Sequence, residues 1–146
     1  MQPEDIPRVD NDSIVRLLAG VASASRPQFL KIPYFGPRAM ETLATYDSSL
    51  IVGILGGATG TTFESFHMVW EAKRYGARAA LFGRSINSDE HQPSFVEMHR
   101  RVVDDELSPK EAVRAYHAEL DRRKICAQRS LDDDSRQYDQ TRQYES

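Results

Sequence analysis

The stretch Ser49-Leu50-Ile51-Val52-Gly53-Ile54-Leu55-Gly56-Gly57-Ala58-Thr59-Gly60-Thr61 decides the fold class. Residues 49–55 are apolar on both alternating faces, the pattern of a strand covered on both sides and hence of a parallel sheet. A glycine-rich loop follows directly. A helix then opens at Thr61, because Thr61 and Glu64 have the spacing of a capping box. Phe63, Phe66, Val69, Trp70 and Ala72 form its core-facing stripe, which stops at Gly76.

Working outward, Ala79-Ala80-Leu81-Phe82 reads as the next strand, ended by Gly83-Arg84-Ser85. Upstream, Phe29-Leu30-Lys31-Ile32 reads as a strand stopped by Pro33, with Pro37 opening a helix to about residue 46. Before it, Asp12 or Ser13 caps a helix from 14 to about 24, with Ile14, Leu17, Leu18 and Val21 on one stripe. Gly20 weakens that helix by up to ~1 kcal/mol. Two further helices are expected, one over about 94–104 presenting Phe95, Val96, Met98, Val102 and Val103. The other begins at Ser108-Pro109-Lys110-Glu111, where cap, N1 proline and N3 glutamate agree. Strands alternating with helices argue an α/β fold with right-handed crossovers and parallel strands.

The 146 residues suit one compact domain, and 40% hydrophobic with 28% charged is ordinary globular composition. A net charge of -3 recommends neither nucleic acid nor an acidic membrane as partner. No apolar run approaches the roughly 20 residues that span a bilayer, and the acidic start MQPEDIPRVDND is no secretory signal. One cysteine, Cys126, excludes an intramolecular disulfide and Cys-rich zinc sites. The expected setting is soluble and cytoplasmic. Past Cys126 the chain is Gln-, Asp-, Arg- and Ser-rich, so 127–146 is expected as a disordered tail after a folded domain over 1–126.

In parallel α/β architectures ligands sit beyond the carboxyl ends of the strands. Three features collect at that edge. Lys31 shares a strand face with Phe29, while Leu30 and Ile32 point the other way. Its chemical use would be Schiff-base formation, which requires a neutral amine; at an ordinary pKa near 10.4 only roughly one amine in a few thousand is neutral at pH 7. A strand-end lysine reaching solvent is the plainer alternative. Gly56 and Gly57, with Thr59, Thr61 and Thr62, offer amides and hydroxyls for an anion at a helix start; the alternative is a tight turn that needs glycine. Neither the dinucleotide fingerprint nor a P-loop is present. Arg84 beside Gly83 completes a phosphate clamp from two adjacent loops, or is a surface residue. His67, His91, His99 and His117 lack metal-ligand spacing and read as helix-surface residues, and Asp132-Asp133-Asp134 as a solvated run.

The three strand segments, in their order and spacing, resemble the last three strands of a class I aldolase barrel. The resemblance is to the DeoC/LacD and archaeal-type fructose-bisphosphate aldolase superfamily and covers roughly residues 27–120. It implies a partial (β/α)8 TIM-type barrel, its last three β/α units, with Lys31 as the Schiff-base lysine. It also implies that Gly56, Gly57, Gly83 and Arg84 bind substrate phosphate, with no metal or organic cofactor. The family's strands one to five, its acidic residue on the first strand and its tyrosine proton donor have no counterpart here. The expected activity is a class I aldolase-type lyase on a phosphorylated sugar or ketone, incomplete as a lone chain. The other readings are a non-catalytic barrel fragment that binds phosphate or assembles with a copy or a complementing fragment, and a small Rossmann-like nucleotide binder.

Overall fold

The computed structural model describes residues 11–22, 25, 27–56 and 60–138. It is an α/β protein whose three strands, β1 (Phe29–Pro33), β2 (Ile51–Leu55) and β3 (Ala79–Leu81), form one parallel sheet in the order β1-β2-β3. Helix α1 (Asn11–Ala19) precedes β1, while α2 (Pro37–Tyr46) and α3 (Thr62–Arg74) are the two crossovers. After β3 come α4 (Gly83–Ser88), α5 (Gln92–Val103), α6 (Pro109–Arg122) and α7 (Leu131–Asp134).

The local signals that start and stop the crossovers work as chemistry requires. Helix α2 begins at Pro37 after Gly36, whose φ of 103° suits glycine. Helix α3 has a complete capping box: Glu64 N donates to Thr61 Oγ1 and Thr61 N donates to Glu64 Oε2. It ends before Gly76, at φ 106°, where a Cβ would lie 2.4 Å from Ala44 Cβ. Gly76→Ala should therefore lose about 2 kcal/mol of stability, since backbone and neighbour both resist the methyl; a thermal midpoint unchanged from wild type would refute this. Helix α6 carries a second complete capping box from Ser108 and Glu111.

Leu30, Ile32, Val52 and Ile54 face the helices, and the last three are buried at 4% exposure or less. They pack with Met40 and Leu43 of α2 and with Phe66, Val69 and Ala72 of α3 in a core that continues into α5 and α6. The opposite face carries Phe29, Lys31 and Pro33 in register with Ile51, Gly53 and Leu55, and then Ala79 and Leu81. Phe29 and Leu81 are exposed there. The doubly apolar pattern of 49–55 predicts cover on both sides, but both crossovers pack on one side. The Phe29 ring takes the place of a side chain at Gly53, where a Cβ would lie 2.7 Å from Phe29 Cζ.

Other differences are at the ends. Helix α1 stops at Ala19, short of 24, because Gly20 does not hold the helical backbone well; Leu17 is 70% exposed instead of joining Ile14 and Leu18. Starting at Asn11, it also places Asp12 and Ser13 inside the helix. Helix α4 was not legible: six residues without an apolar stripe give no period to read. In the expected tail, residues 127–138 are packed against the body, and only 139–146 fall outside the described residues. Polar hydrogen bonding substitutes for apolar burial in this segment, which composition does not report. Asp134, expected in a solvated run, is 3% exposed.

Candidate functional site

Parallel strands bring their carboxyl ends to one edge. At that edge lies an open cavity of about 460 Å³ lined by Lys31, Pro33, Tyr34, Leu55, Gly56, Met68, Leu81, Gly83 and Arg84. Four residues singled out from sequence, Lys31, Gly56, Gly83 and Arg84, therefore meet in one place; Gly57 lies outside the described residues. The size is that of a small-molecule site, commonly about 300–1,000 Å³.

Each contributes differently. Lys31, from the middle of β1, stands on the helix-free face beside Gly53, its side-chain-less register partner. It is exposed. The amine is thus presented to the cavity without being enclosed by the described residues. Gly56 donates its amide to Leu81 O at 3.1 Å, and a Cβ there would lie 2.4 Å from Phe82 Cδ1. Its glycine is needed for packing, and its N–H is taken by the β2–β3 connection. At Gly83, by contrast, a Cβ would meet nothing within 4 Å, so the backbone faces open space. Arg84, the second residue of α4, is exposed and adds the second cation. Among the described residues no carboxylate lines the cavity. Two cations without a counter-charge favour an anionic occupant. Tyr34 on the wall is buried, with its hydroxyl donating to Glu71 Oε2 at 2.9 Å.

The amides at the start of α3, expected to be open to an anion, are occupied from within the chain. Thr61 N donates to Glu64 Oε2 at 2.9 Å and Thr62 N to Asp134 Oδ1 at 2.8 Å. Thr61 Oγ1 donates to the carbonyl of Arg136 at 2.7 Å. Two carboxylates satisfy the positive end of the helix, as a phosphate would. Thr59 is outside the described residues. The anion-facing part of the cavity is accordingly Lys31, Gly83 and Arg84.

The histidines are not uniformly on helix surfaces. His99 lies among Phe66, Phe82 and Phe95, with ring centroids 4.7, 5.1 and 4.5 Å away. Its Nδ1 is 3.0 Å from Phe95 O and its Nε2 3.0 Å from Ser65 Oγ. A carbonyl only accepts, so Nδ1 carries the proton and Nε2 accepts from the serine hydroxyl. Burial pushes the His99 pKa down to about 4, against a smaller upward pull from the Phe95 carbonyl. His117 Nε2 lies 2.9 Å from the buried Asp134 Oδ2. His91 caps α5 by accepting from Ser94 N. His67 packs between Phe63 and Trp70. A helical i, i+4 spacing from Phe95 to His99 was the available signal for the buried ring; nothing local marks the partner of His117. Among the described residues no three His, Cys, Asp or Glu side chains are grouped to hold a metal, and no helix is long and apolar enough to cross a membrane.

Fold and cavity together define an α/β protein with a cationic cleft at the carboxyl edge of a parallel sheet. Compared with known proteins, no family model matches the chain and no curated protein matches its sequence.

Proposed function

We propose that the chain is part of a class I, Schiff-base aldolase-type lyase acting on a phosphorylated sugar or ketone, built as the last three β/α units of a (β/α)8 barrel. The observation that carries this reading is the meeting of Lys31, Gly83 and Arg84 in one cavity beyond parallel strand ends. The one-sided placement of the crossovers supports it as well, since a barrel segment keeps its helices outside and its other face inside. In this reading Lys31 Nζ attacks a substrate carbonyl and water leaves, giving an imine whose protonated form accepts the electron pair of the cleaved carbon–carbon bond. Arg84 and the open backbone at Gly83 hold the phosphate, and Gly56 shapes the wall. Further β/α units closing over the exposed face would exclude water from Lys31 and bring an acidic residue, which is not among the described lining residues.

Incubation with a phosphorylated ketone or aldehyde and borohydride, followed by intact-mass measurement, should add one reduced substrate to the wild-type chain and none to Lys31→Ala. An adduct that survives in Lys31→Ala, or none in wild type, ends the lysine chemistry. The second reading, a non-catalytic fragment that binds phosphate or assembles with a partner, is favoured by the exposure of Lys31 and of Phe29 and Leu81. It gives phosphate binding by calorimetry weakened about tenfold in Arg84→Ala, the loss of one charge-assisted contact, and no trapped imine.

A further inference from the structure

The segment after Cys126 is tied across the molecule by polar bonds rather than by an apolar face. Gln128 N donates to Glu90 Oε1 at 2.7 Å and its side-chain amide to Ser88 O at 3.0 Å. Arg129 Nη1 donates to Gly60 O at 3.0 Å. Asp134 accepts from Thr62 N and pairs with His117, the Arg136 carbonyl accepts from Thr61 Oγ1, and Tyr138 N donates to Glu64 Oε1. Gln128 thereby holds the residues on either side of Asp89, and Asp134 and Arg129 of the strap lie close enough to act on its charge. Asp89 Oδ2 is buried with no hydrogen-bond partner among the described residues.

We propose that residues 128–138 form a charge-operated latch, closed on the start of α3 through Asp134 and released when negative charge builds on Asp89. The latch does not depend on the aldolase reading, although its Arg129 holds Gly60, the end of the loop that leaves β2.

The groups facing Asp89 set the direction. Glu90 adjoins it, Asp134 and Arg129 approach from the strap, and Tyr116 approaches from α6 with its hydroxyl donated to Glu90 Oε2. Burial, then Glu90, then Asp134 push the Asp89 carboxyl up to about 7, with Arg129 opposing. Lifting the strap returns Asp89 to water and removes Asp134, at the cost of Arg129; burial is the largest of these, so ionisation favours the lifted state. A carboxyl raised in the closed form stabilises that form at low pH. This contribution is lost as pH climbs toward about 7 and is constant above it.

Hydrogen exchange on the full chain, corrected for the intrinsic base-catalysed rate, reads the opening of 128–138 and of the Thr62 amide. Between pH 5 and pH 7 the opening equilibrium should rise about tenfold in wild type and level off above, because the closed form binds the extra proton. Asp89→Asn keeps the site neutral and should leave at most a twofold rise. Equal pH dependence in wild type and variant, or none in wild type, overturns the latch. On the unaltered chain, the carbon-13 shift of the Asp89 carboxyl should titrate in the same window as exchange, and a midpoint in the ordinary carboxylate range overturns it too.

Discussion

Replacing Phe66 by alanine should lower the stability of this protein by about 4 kcal/mol, the upper part of the range for emptying a buried aromatic site. Phe66 is fully buried on α3 and touches Phe95 and His99 of α5, at centroid distances of 5.4 and 4.7 Å. It therefore joins the sheet-covering layer to the outer helix pair. Its neighbours are rings fixed by helices on either side, so the site collapses poorly and most of the cavity cost remains. Urea unfolding should show a lower midpoint with an unchanged slope. Leu17→Ala, at a position 70% exposed, should shift stability by less than about 0.5 kcal/mol. A Phe66→Ala loss as small as that of Leu17→Ala would mean that α3 and α5 do not share this core.

Acid should expose the second large effect. With its pKa held at about 4 by burial, His99 is mostly unprotonated in the folded chain at pH 5, whereas in the unfolded chain it titrates near 6.5. The unfolded state then binds more protons between those values, so stability from His99 is complete above about pH 6.5 and falls as pH drops toward 4. The gap corresponds to about 3 kcal/mol at 1.36 kcal/mol per pKa unit. Asp89 has the opposite sign over much of that window, because its raised pKa favours folding as pH falls. The wild-type profile is therefore flatter than His99 alone would make it. The variants separate the two. His99→Phe keeps a ring among Phe66, Phe82 and Phe95 while leaving Ser65 Oγ and Phe95 O without their partner. It should lose stability at pH 7 but gain on wild type by about 3 kcal/mol on moving to pH 4. Asp89→Asn should be steeper in acid than wild type. Unfolding midpoints at pH 4, 5.5 and 7 decide both, and parallel curves for His99→Phe and wild type would show that the ring is charged when folded.

The site shows where sequence reasoning reaches and where it stops. Gly83 and Arg84 were legible because they follow a strand end, and Lys31 because it interrupts an apolar strand; a parallel sheet collects its strand ends on one edge. Gly56 was legible as a special position but not for its cause: the Phe82 ring that excludes a side chain there belongs to the residue that follows the neighbouring strand β3. The start of α3 was read as a place for a bound anion, but its Thr61 and Thr62 amides are taken by Glu64 and Asp134 of the chain itself. That Asp134 supplies the charge, from 72 residues away, was not readable.

Local rules were sufficient for the capping boxes at Thr61 and Ser108, the stop at Gly76, and the alternation that makes the sheet parallel, because each acts within a turn or a strand. The sequence by itself determined an α/β chain whose parallel strands bring their carboxyl ends to one edge. Tertiary structure alone decided that both crossovers cover the same sheet face, that Leu17 faces outward while His99 faces inward, and that the polar end of the chain folds back onto α3. The reason is physical: propensity and period fix which side of an element is apolar, but burial and hydrogen-bond partners depend on which distant surface arrives to meet it.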